Sequence, residues 1–311
     1  MAKFLFVTDL DNTLVGDDSA LKELNQYLQD SREKYDSKIV YITGRSLILY
    51  RELATEKHLL TPDALVTSVG TEIYYNPNQP VPDATWSEQL SSRWDRDLVA
   101  ATAAHFADLV PQPDTEQRPF KVSYFLTEEA AVEVLPRLES LLQERGLNTR
   151  LVYSSSKDLD ILPKRGNKGL AMEFLRHKWG FDETQTVACG DSGNDIALFS
   201  MGKERGIIVG NAQPELLQWY EINPAEHIYL ANAHCAAGIL EGLYYFGFLE
   251  WTGILEISDF WFHIELILDL RLQIELISNL SWKFELKFYI INLQFLVNLQ
   301  SYMLNLKSSH A

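Results

Sequence analysis

The chain has 311 residues, of which 46% are hydrophobic, and its formal net charge is −16. This length suits two domains and an additional segment, while the negative charge argues against a protein that binds along nucleic acid or to an anionic membrane surface. The two cysteines, Cys189 and Cys235, give no disulfide framework, and the apolar run near the N-terminus is too short for a signal peptide, so we expect a soluble cytoplasmic protein with two buried thiols.

The first part of the chain alternates short apolar runs with amphipathic segments. The apolar runs predict strands, each buried on both faces, at 4–7, 39–42 and 64–67. Helices are predicted between them, one capped by Ser19 and one at 46–57. This alternation is typical of a doubly wound α/β domain with a parallel, Rossmann-like sheet.

A second unit is predicted after residues 76–82, where three prolines interrupt the pattern. The expected elements are a long helix at 86–110, a strand at 120–126, a helix at 127–144 and a strand at 149–153, followed by a loop back to the core near 157–163. The first pattern then resumes with a helix from Asn167, strands at 186–189 and 206–209, and helices after Asn194 and from Pro214.

The predicted domain organisation is therefore discontinuous. A hydrolase-type α/β core comprises residues 1–77 and 162–250, and an inserted α/β cap domain comprises 78–161. Residues 251–311 form a C-terminal extension of unknown role, in which Leu, Ile and Phe alternate with polar residues as in half-buried strands.

Two carboxylates, Asp9 and Asp11, directly follow the first predicted strand, where open α/β sheets bind ligands. One carboxylate can attack a phosphate monoester while the other, protonated, donates to the leaving alkoxide and later activates water. Because carboxylate and phosphate repel each other, such a site needs a cation. The alternative is an Asp-rich turn or part of a calcium loop.

Two further segments offer groups that bind phosphate. Thr43, Gly44 and Arg45 end the second strand, and a hydroxyl with adjacent backbone N–H groups can hold phosphate oxygens there. Lys168, at a predicted helix start, can neutralise a transferring phosphoryl group. Taken singly, the first is also typical of a helix cap and the second of a solvated lysine.

The loop after the strand that ends in Cys189 carries Asp191, Asn194 and Asp195. Its carboxylate and amide oxygens suit a hard cation, Mg²⁺ rather than a softer metal, although Mn²⁺ stays open. The alternative is a polar loop that caps a helix. All four segments occur in order at predicted strand ends or helix starts, which favours a single site.

In these four motifs the sequence resembles the haloacid dehalogenase-like phosphohydrolases, with Asp9 and Asp11, Thr43, Lys168, and Asp191 with Asp195 at the matching positions. The resemblance implies an aspartyl-phosphate mechanism with Asp9 as nucleophile. It also implies that Mg²⁺ is held by Asp9, Asp11, Asp191 and Asp195. The position of the inserted unit resembles a C2-type cap.

Within that superfamily, the segments 8–13, 69–74, 154–163, 190–195 and 211–217 resemble those of the sucrose-phosphate phosphatases. This implies hydrolysis of sucrose 6-phosphate to sucrose and phosphate, the final step of sucrose biosynthesis, with the cap selecting the sugar. Lys121, Lys157 and Asp158 are candidate sugar contacts. Solvated polar residues at a strand edge are the alternative for these three.

Two other hypotheses remain open. One is a phosphatase or phosphomutase for another sugar phosphate, such as a mannosylglycerate or trehalose precursor. The other is a phosphatase-like module that binds sucrose-phosphate synthase without catalysis. The presence of Asp9, Asp11, Lys168, Asp191 and Asp195 favours an enzyme over such a module.

Overall fold

The computed structural model describes residues 3–154 and 156–249, and the predicted C-terminal extension lies outside these residues. The described residues form two sheets. The strands of both sheets, in chain order, are β1 (Leu5–Thr8), β2 (Lys38–Ile42), β3 (Ala64–Thr67), β4 (Glu72–Tyr74), β5 (Val110–Pro111), β6 (Val122–Phe125), β7 (Thr149–Ser154), β8 (Asp158–Pro163), β9 (Thr186–Gly190), β10 (Arg205–Ile208) and β11 (Ile228–Leu230).

The larger sheet has the strand order β11-β10-β9-β1-β2-β3-β4. Every neighbouring pair is parallel except β3 and β4. The predicted parallel α/β core is therefore confirmed. Since the strands on either side of β1 run parallel to it, the carboxyl ends of β1, β2 and β9 meet at one edge of the sheet.

Helices cover both faces of this sheet. One face carries α1 (Asp18–Tyr35), α2 (Leu47–Glu56) and α9 (Cys235–Tyr245), and the other carries α3 (Ala84–Leu90), α6 (Lys168–Trp179), α7 (Ile196–Ser200) and α8 (Pro214–Ile222). Within β1, Phe6 packs toward the first group while Leu5 and Val7 pack toward the second. Burial on both faces explains why the strand sequences are continuously apolar rather than alternating.

The smaller sheet has the order β5-β6-β8-β7, with all neighbours antiparallel. Two helices, α4 (Arg96–Ala103) and α5 (Glu128–Glu144), share a separate hydrophobic cluster with β6 and β8. We call this sheet and these two helices the cap. The chain passes from β4 through α3 into the cap and returns to the larger sheet at α6. The division into a core of residues 1–77 and 162–250 and an inserted domain of 78–161 stays a prediction.

The long helix predicted at 86–110 is wrong, because the structure has two helices there. A break follows α3, with Arg93 in a left-handed conformation (φ 55°), and the Asp95 side chain accepts a hydrogen bond from the backbone N–H of Leu98 to start α4. Moreover, α3 packs against the larger sheet through the buried indole of Trp86 rather than against the cap.

Two smaller predictions are also corrected. The N-terminal capping residue of α1 is Asp17, whose carboxylate accepts a hydrogen bond from the backbone N–H of Ser19. Ser19 itself therefore lies inside the helix. The predicted loop at 157–163 is β8, in which Leu159 and Ile161 point into the cap cluster while the intervening residues are acidic. The strands β4, β5 and β11 and the helix α9 were not predicted from the sequence.

The remaining predicted strands and helices are confirmed within one or two residues at most ends. Cys189 and Cys235 are both buried and unbonded to each other, as expected. Across residues 3–154 and 156–249, none of the helices combines the length and the apolar character needed to span a bilayer.

Candidate active site

The four sequence motifs converge at the carboxyl edge of the larger sheet. Asp9 follows β1, Thr43 follows β2, Asp191 follows β9, and Lys168 is the first residue of α6. Asn167 is the N-cap of α6: its side-chain oxygen accepts a hydrogen bond from the backbone N–H of Leu170 at 2.8 Å. This cap fixes the helix start and so the position of Lys168.

Lys168 is completely buried and joins two of the carboxylates. Its Nζ donates to Oδ1 of Asp9 at 2.6 Å and to Oδ1 of Asp195 at 2.7 Å. Although burial alone would lower the pKa of Lys168, the charges of Asp195 and Asp9 raise it above its ordinary value, so the ammonium stays protonated. Burial raises the pKa of Asp9 well above its ordinary value, against the opposing effect of Lys168.

Asp195 also organises the loop that carries Asp191. Its Oδ2 accepts from the backbone N–H groups of Asp191 and Ser192, both at 3.1 Å. The hydroxyl of Thr13 donates to Oδ1 of Asp191 at 2.8 Å and so links the first motif to the last. Sequence reasoning assigned no role to Thr13, although it stands two residues after Asp11.

The carboxylates of Asp9, Asp191 and Asp195 each place an oxygen within 4.8 Å of the others, and all three residues are buried. Burial and the charge of Asp195 raise the pKa of Asp191 to about 7. Three buried carboxylates beside one ammonium leave an excess of negative charge, and hard oxygen ligands suit a small divalent cation. These residues therefore fit a metal ion such as Mg²⁺.

The side chain of Asp11 is not part of that group. It forms a two-point ion pair with Arg45, whose Nε and terminal nitrogen lie 2.7 Å from the two Asp11 oxygens. Arg45 belongs to the predicted phosphate-binding segment, which we call the phosphate loop (residues 43–45). The role of Asp11 as a metal ligand stays a prediction.

The phosphate loop is arranged as a turn at the end of β2. The buried hydroxyl of Thr43 accepts from the backbone N–H of Arg45 at 3.1 Å. Gly44 and Arg45 line a cleft of about 1300 Å³ that also contains Asp9, Asp11 and Asp191. Asn194 lines the same cleft, and its Oδ1 is buried without a hydrogen-bond partner among the described residues.

The cap forms the opposite wall of this cleft. Lys121 and Lys157, both predicted from the sequence, line the cleft. Lys121 is nearly fully buried, and its Nζ lies 3.3 Å from Oε2 of Glu116 and 3.4 Å from Oδ1 of Asp160. Around it the cap thus presents ammonium and carboxylate groups, which can bind the hydroxyl groups of a polar ligand.

Sequence reasoning missed Gln112, Glu116 and Asp160 as cleft residues. Gln112 and Glu116 lie in or beside loops with no regular pattern, so no signal marked them. Asp160 was within reach, because Asp158 and Asp160 alternate with apolar residues and share one face of β8. The side-chain amide of Gln112 donates to Asp158 at 2.9 Å.

The fold and the site are those of the haloacid dehalogenase-like superfamily, and a relative from Nitrosococcus oceani named a putative HAD-like hydrolase is 35% identical over 78% of this chain and 72% of its own. A sugar phosphatase of subclass IIB of that superfamily has a similar structure, with a TM-score of 0.55 over 79% of this chain and 100% of the other. The two sequences are 17% identical, so this likeness concerns the fold.

More specifically, the chain belongs to the sucrose-6F-phosphate phosphohydrolase family, whose model matches residues 2–247. The crystal structure of the sucrose-phosphatase from Synechocystis sp. PCC6803, in complex with sucrose and phosphate, is 42% identical in sequence. It matches with a TM-score of 0.73 and covers 79% of this chain and 99% of its own.

Curated relatives include sucrose-phosphatase 2 of Nicotiana tabacum, 41% identical over 78% of this chain and 59% of the tobacco protein. The mannosylfructose-phosphate phosphatase of Agrobacterium fabrum is 32% identical over 78% of this chain and 96% of its own. The chain spans between 59% and 63% of the length of the plant sucrose-phosphatases that it matches.

Proposed function

We propose that this protein hydrolyses sucrose 6-phosphate to sucrose and inorganic phosphate through a phosphorylated Asp9. The observation that carries the proposal is the position of the Asp9 carboxylate, whose Oδ1 accepts a hydrogen bond from Lys168 Nζ at 2.6 Å. Two further buried carboxylates lie beside it, in a cleft that polar residues of the cap also line. Support for the substrate comes from the Synechocystis sucrose-phosphatase, which is 42% identical.

In the first step an oxygen of Asp9 attacks phosphorus, and the bond between phosphorus and the sugar oxygen breaks. Lys168 fixes the orientation of the Asp9 carboxylate and balances the charge of the transferring group. The Thr43 hydroxyl and the guanidinium of Arg45 bind the non-bridging phosphate oxygens. Bound at Asp9, Asp191 and Asp195, Mg²⁺ supplies positive charge that reduces the repulsion between carboxylate and phosphate.

Asp11 acts as the acid and then as the base. It donates a proton to the departing sugar oxygen, and afterwards removes a proton from the water that attacks the phosphoryl group on Asp9, which releases phosphate. In the structure Asp11 is bound to Arg45. Binding of the phosphate dianion by Arg45 therefore competes with this ion pair and frees Asp11 when substrate is present.

The cap selects the sugar. Lys121, Lys157, Glu116 and Asp160 provide charged groups on the cleft wall opposite the phosphate loop, within reach of the hydroxyl groups of a bound disaccharide. The cytoplasmic location expected from the sequence stays a prediction. Binding of sucrose-phosphate synthase, which the sequence left open as an alternative, stays a hypothesis.

A second candidate substrate is mannosylfructose phosphate, because the relative named for it is 32% identical over 96% of its own length. A phosphate-release assay with sucrose 6-phosphate, mannosylfructose phosphate, trehalose 6-phosphate and glucose 6-phosphate, with and without chelator, separates these possibilities. We expect the highest kcat/KM with sucrose 6-phosphate, and loss of turnover when the chelator is present. Higher kcat/KM with another sugar phosphate would show that the proposed substrate is wrong.

The nucleophile is tested by Asp9→Asn, because an amide cannot attack phosphorus. We expect kcat to fall by a factor of about 1000 or more. Asp97→Asn is the matched control, since the Asp97 side chain is 98% exposed on the cap surface. Near-normal turnover by the Asp9 variant would refute the mechanism.

A further inference from the structure

A short turn between β3 and β4, Ser68–Gly70, has an unusual backbone. Ser68 and Val69 are consecutive left-handed residues, with φ angles of 53° and 60°. This region is unfavourable for residues other than glycine, and a β-branched residue such as valine is rarely found there. Such a conformation persists only where the surroundings hold it, and it is often found at functional sites.

The backbone of this turn is bonded to the phosphate loop. The N–H of Ser68 donates to the carbonyl of Arg45 at 2.9 Å, and the N–H of Val69 donates to the carbonyl of Thr43 at 3.0 Å. The turn and the phosphate loop therefore form one hydrogen-bonded unit, and these two bonds help to hold the left-handed conformation of the turn.

The same turn lies against the start of α6. Gly70 has φ +99°, and a Cβ atom at this position would lie 2.7 Å from the backbone nitrogen of Lys168. Its carbonyl accepts from the indole N–H of Trp86 at 3.1 Å. Movement of the turn relative to the catalytic core is thus restricted on both sides.

The side chain of Val69 lies near Gly44 of the phosphate loop and also contacts the cap. It is 3% exposed and forms a small hydrophobic cluster with Val152 of β7 and Leu162 of β8, separate from the cluster inside the cap. Val69 lines the cleft, whereas Val152 and Leu162 do not. Because valine has a stiff side chain, this contact fixes a distance between the phosphate loop and the cap sheet.

We propose that Val69 is a positioning residue that sets the separation between the phosphate loop and the sugar-binding wall of the cap. It thereby contributes to selectivity for phosphate esters whose alcohol part reaches the cap. This inference rests on the proposed function, in which the cap binds the sugar while the core binds the phosphate. The hydrogen bonds to Thr43 and Arg45 do not involve the Val69 side chain, so phosphate binding itself persists without it.

The test compares Val69→Ala, Val152→Ala and the double variant on two substrates. Sucrose 6-phosphate uses both the cap and the core, whereas p-nitrophenyl phosphate has no sugar hydroxyl groups to engage the cap. Val132→Ala is the matched control, because Val132 is 79% exposed on α5. Thermal unfolding of each variant verifies that it is folded under the assay conditions.

We expect each single substitution to lower kcat/KM for sucrose 6-phosphate about fivefold, and to change kcat/KM for p-nitrophenyl phosphate less than twofold. The double variant should be no slower than the slower single variant, because both substitutions remove the same contact. The control variant should match the unmodified protein on both substrates.

Three results would overturn the inference. Equal losses on both substrates would assign Val69 a general structural role. A lower kcat/KM for sucrose 6-phosphate in Val69→Ala but not in Val152→Ala would mean that Val69 touches the substrate directly. If the losses in kcat/KM of the two single variants multiply in the double variant, the two residues act independently. If another sugar phosphate proves to be the better substrate, the same comparison is made with it, so an error in the proposed substrate is distinguishable from failure of this inference.

Discussion

At the scale of single residues, the backbone carbonyl of Asn12 is held by two donors. The Asn211 side-chain nitrogen donates to it at 2.7 Å, and the Cys235 thiol donates at 3.4 Å. Asn211 also accepts from the backbone N–H of Cys235 at 2.8 Å. Asn12 is left-handed, with φ 58°, and stands between Asp11 and Thr13, so these bonds stabilise the turn that directs both side chains into the site.

We therefore expect Asn211→Ala to lower kcat about tenfold while KM changes less than threefold, because Asp11 and Thr13 lose their fixed orientation. Steady-state kinetics with sucrose 6-phosphate measure this. Asn223→Ala is a suitable control, since among the described residues the side-chain amide of Asn223 donates only to the backbone carbonyl of Trp219, at the end of α8. An unchanged kcat in Asn211→Ala would show that the turn holds without this side chain.

At the scale of secondary-structure elements, the sequence predicted most of the core because its strands are buried on both faces. The continuous apolar runs at β1, β2 and β3 leave little ambiguity, and the polar residues that follow them mark the ligand-binding edge. This is why the positions of Asp9 and Thr43 at strand ends could be predicted from local pattern alone.

The cap was harder to predict because its elements depend on contacts distant in sequence. Burial of Trp86 places α3 against the larger sheet rather than against the cap, and no local pattern reveals this placement. The Gln112 side chain donates to Asp158, 46 positions later, and the ammonium of Lys121 pairs with Asp160 of β8. Such pairings arise only when the chain folds.

The helix α5 contains Pro136 and is nevertheless continuous from Glu128 to Glu144. Proline cannot donate to the carbonyl of Val132, one turn earlier, and Pro136 is exposed, so its ring contributes little packing. We expect Pro136→Ala to raise the free energy of unfolding by about 1 kcal/mol, since the missing hydrogen bond is restored.

Urea-induced unfolding measures this change. Pro214→Ala provides the comparison, because Pro214 is the first residue of α8, where proline is favourable and no helical hydrogen bond is missing. That substitution should leave stability unchanged or lower it slightly. A Pro136 variant no more stable than the unmodified protein would indicate that α5 has relaxed around the proline without cost.

At the scale of the whole molecule, the buried acidic site couples stability to pH and to metal. Without metal, the pKa of Asp191 is raised to about 7 and that of Asp9 is raised well above its ordinary value, chiefly by burial. The unfolded chain releases these protons near pH 4, whereas the folded protein keeps them to higher pH. Between these pH values the folded state binds more protons than the unfolded state. The free energy of unfolding therefore decreases, through these two groups, as pH rises from about 4 to about 7.

A divalent cation reverses this loss, because it binds the ionised carboxylates and competes with protons. We therefore expect the increase in melting temperature on adding Mg²⁺ to be small at pH 5 and several degrees larger at pH 7.5, with chelator-treated protein as the reference at each pH. Comparing the two conditions at the same pH cancels the contribution of distant acidic groups. Asp191→Asn should abolish most of the increase in melting temperature that Mg²⁺ causes at pH 7.5. The substitution removes both the negative charge of a candidate metal ligand and the group that titrates. A Mg²⁺ effect of equal size at both pH values would mean that the raised pKa of Asp191 does not control metal binding.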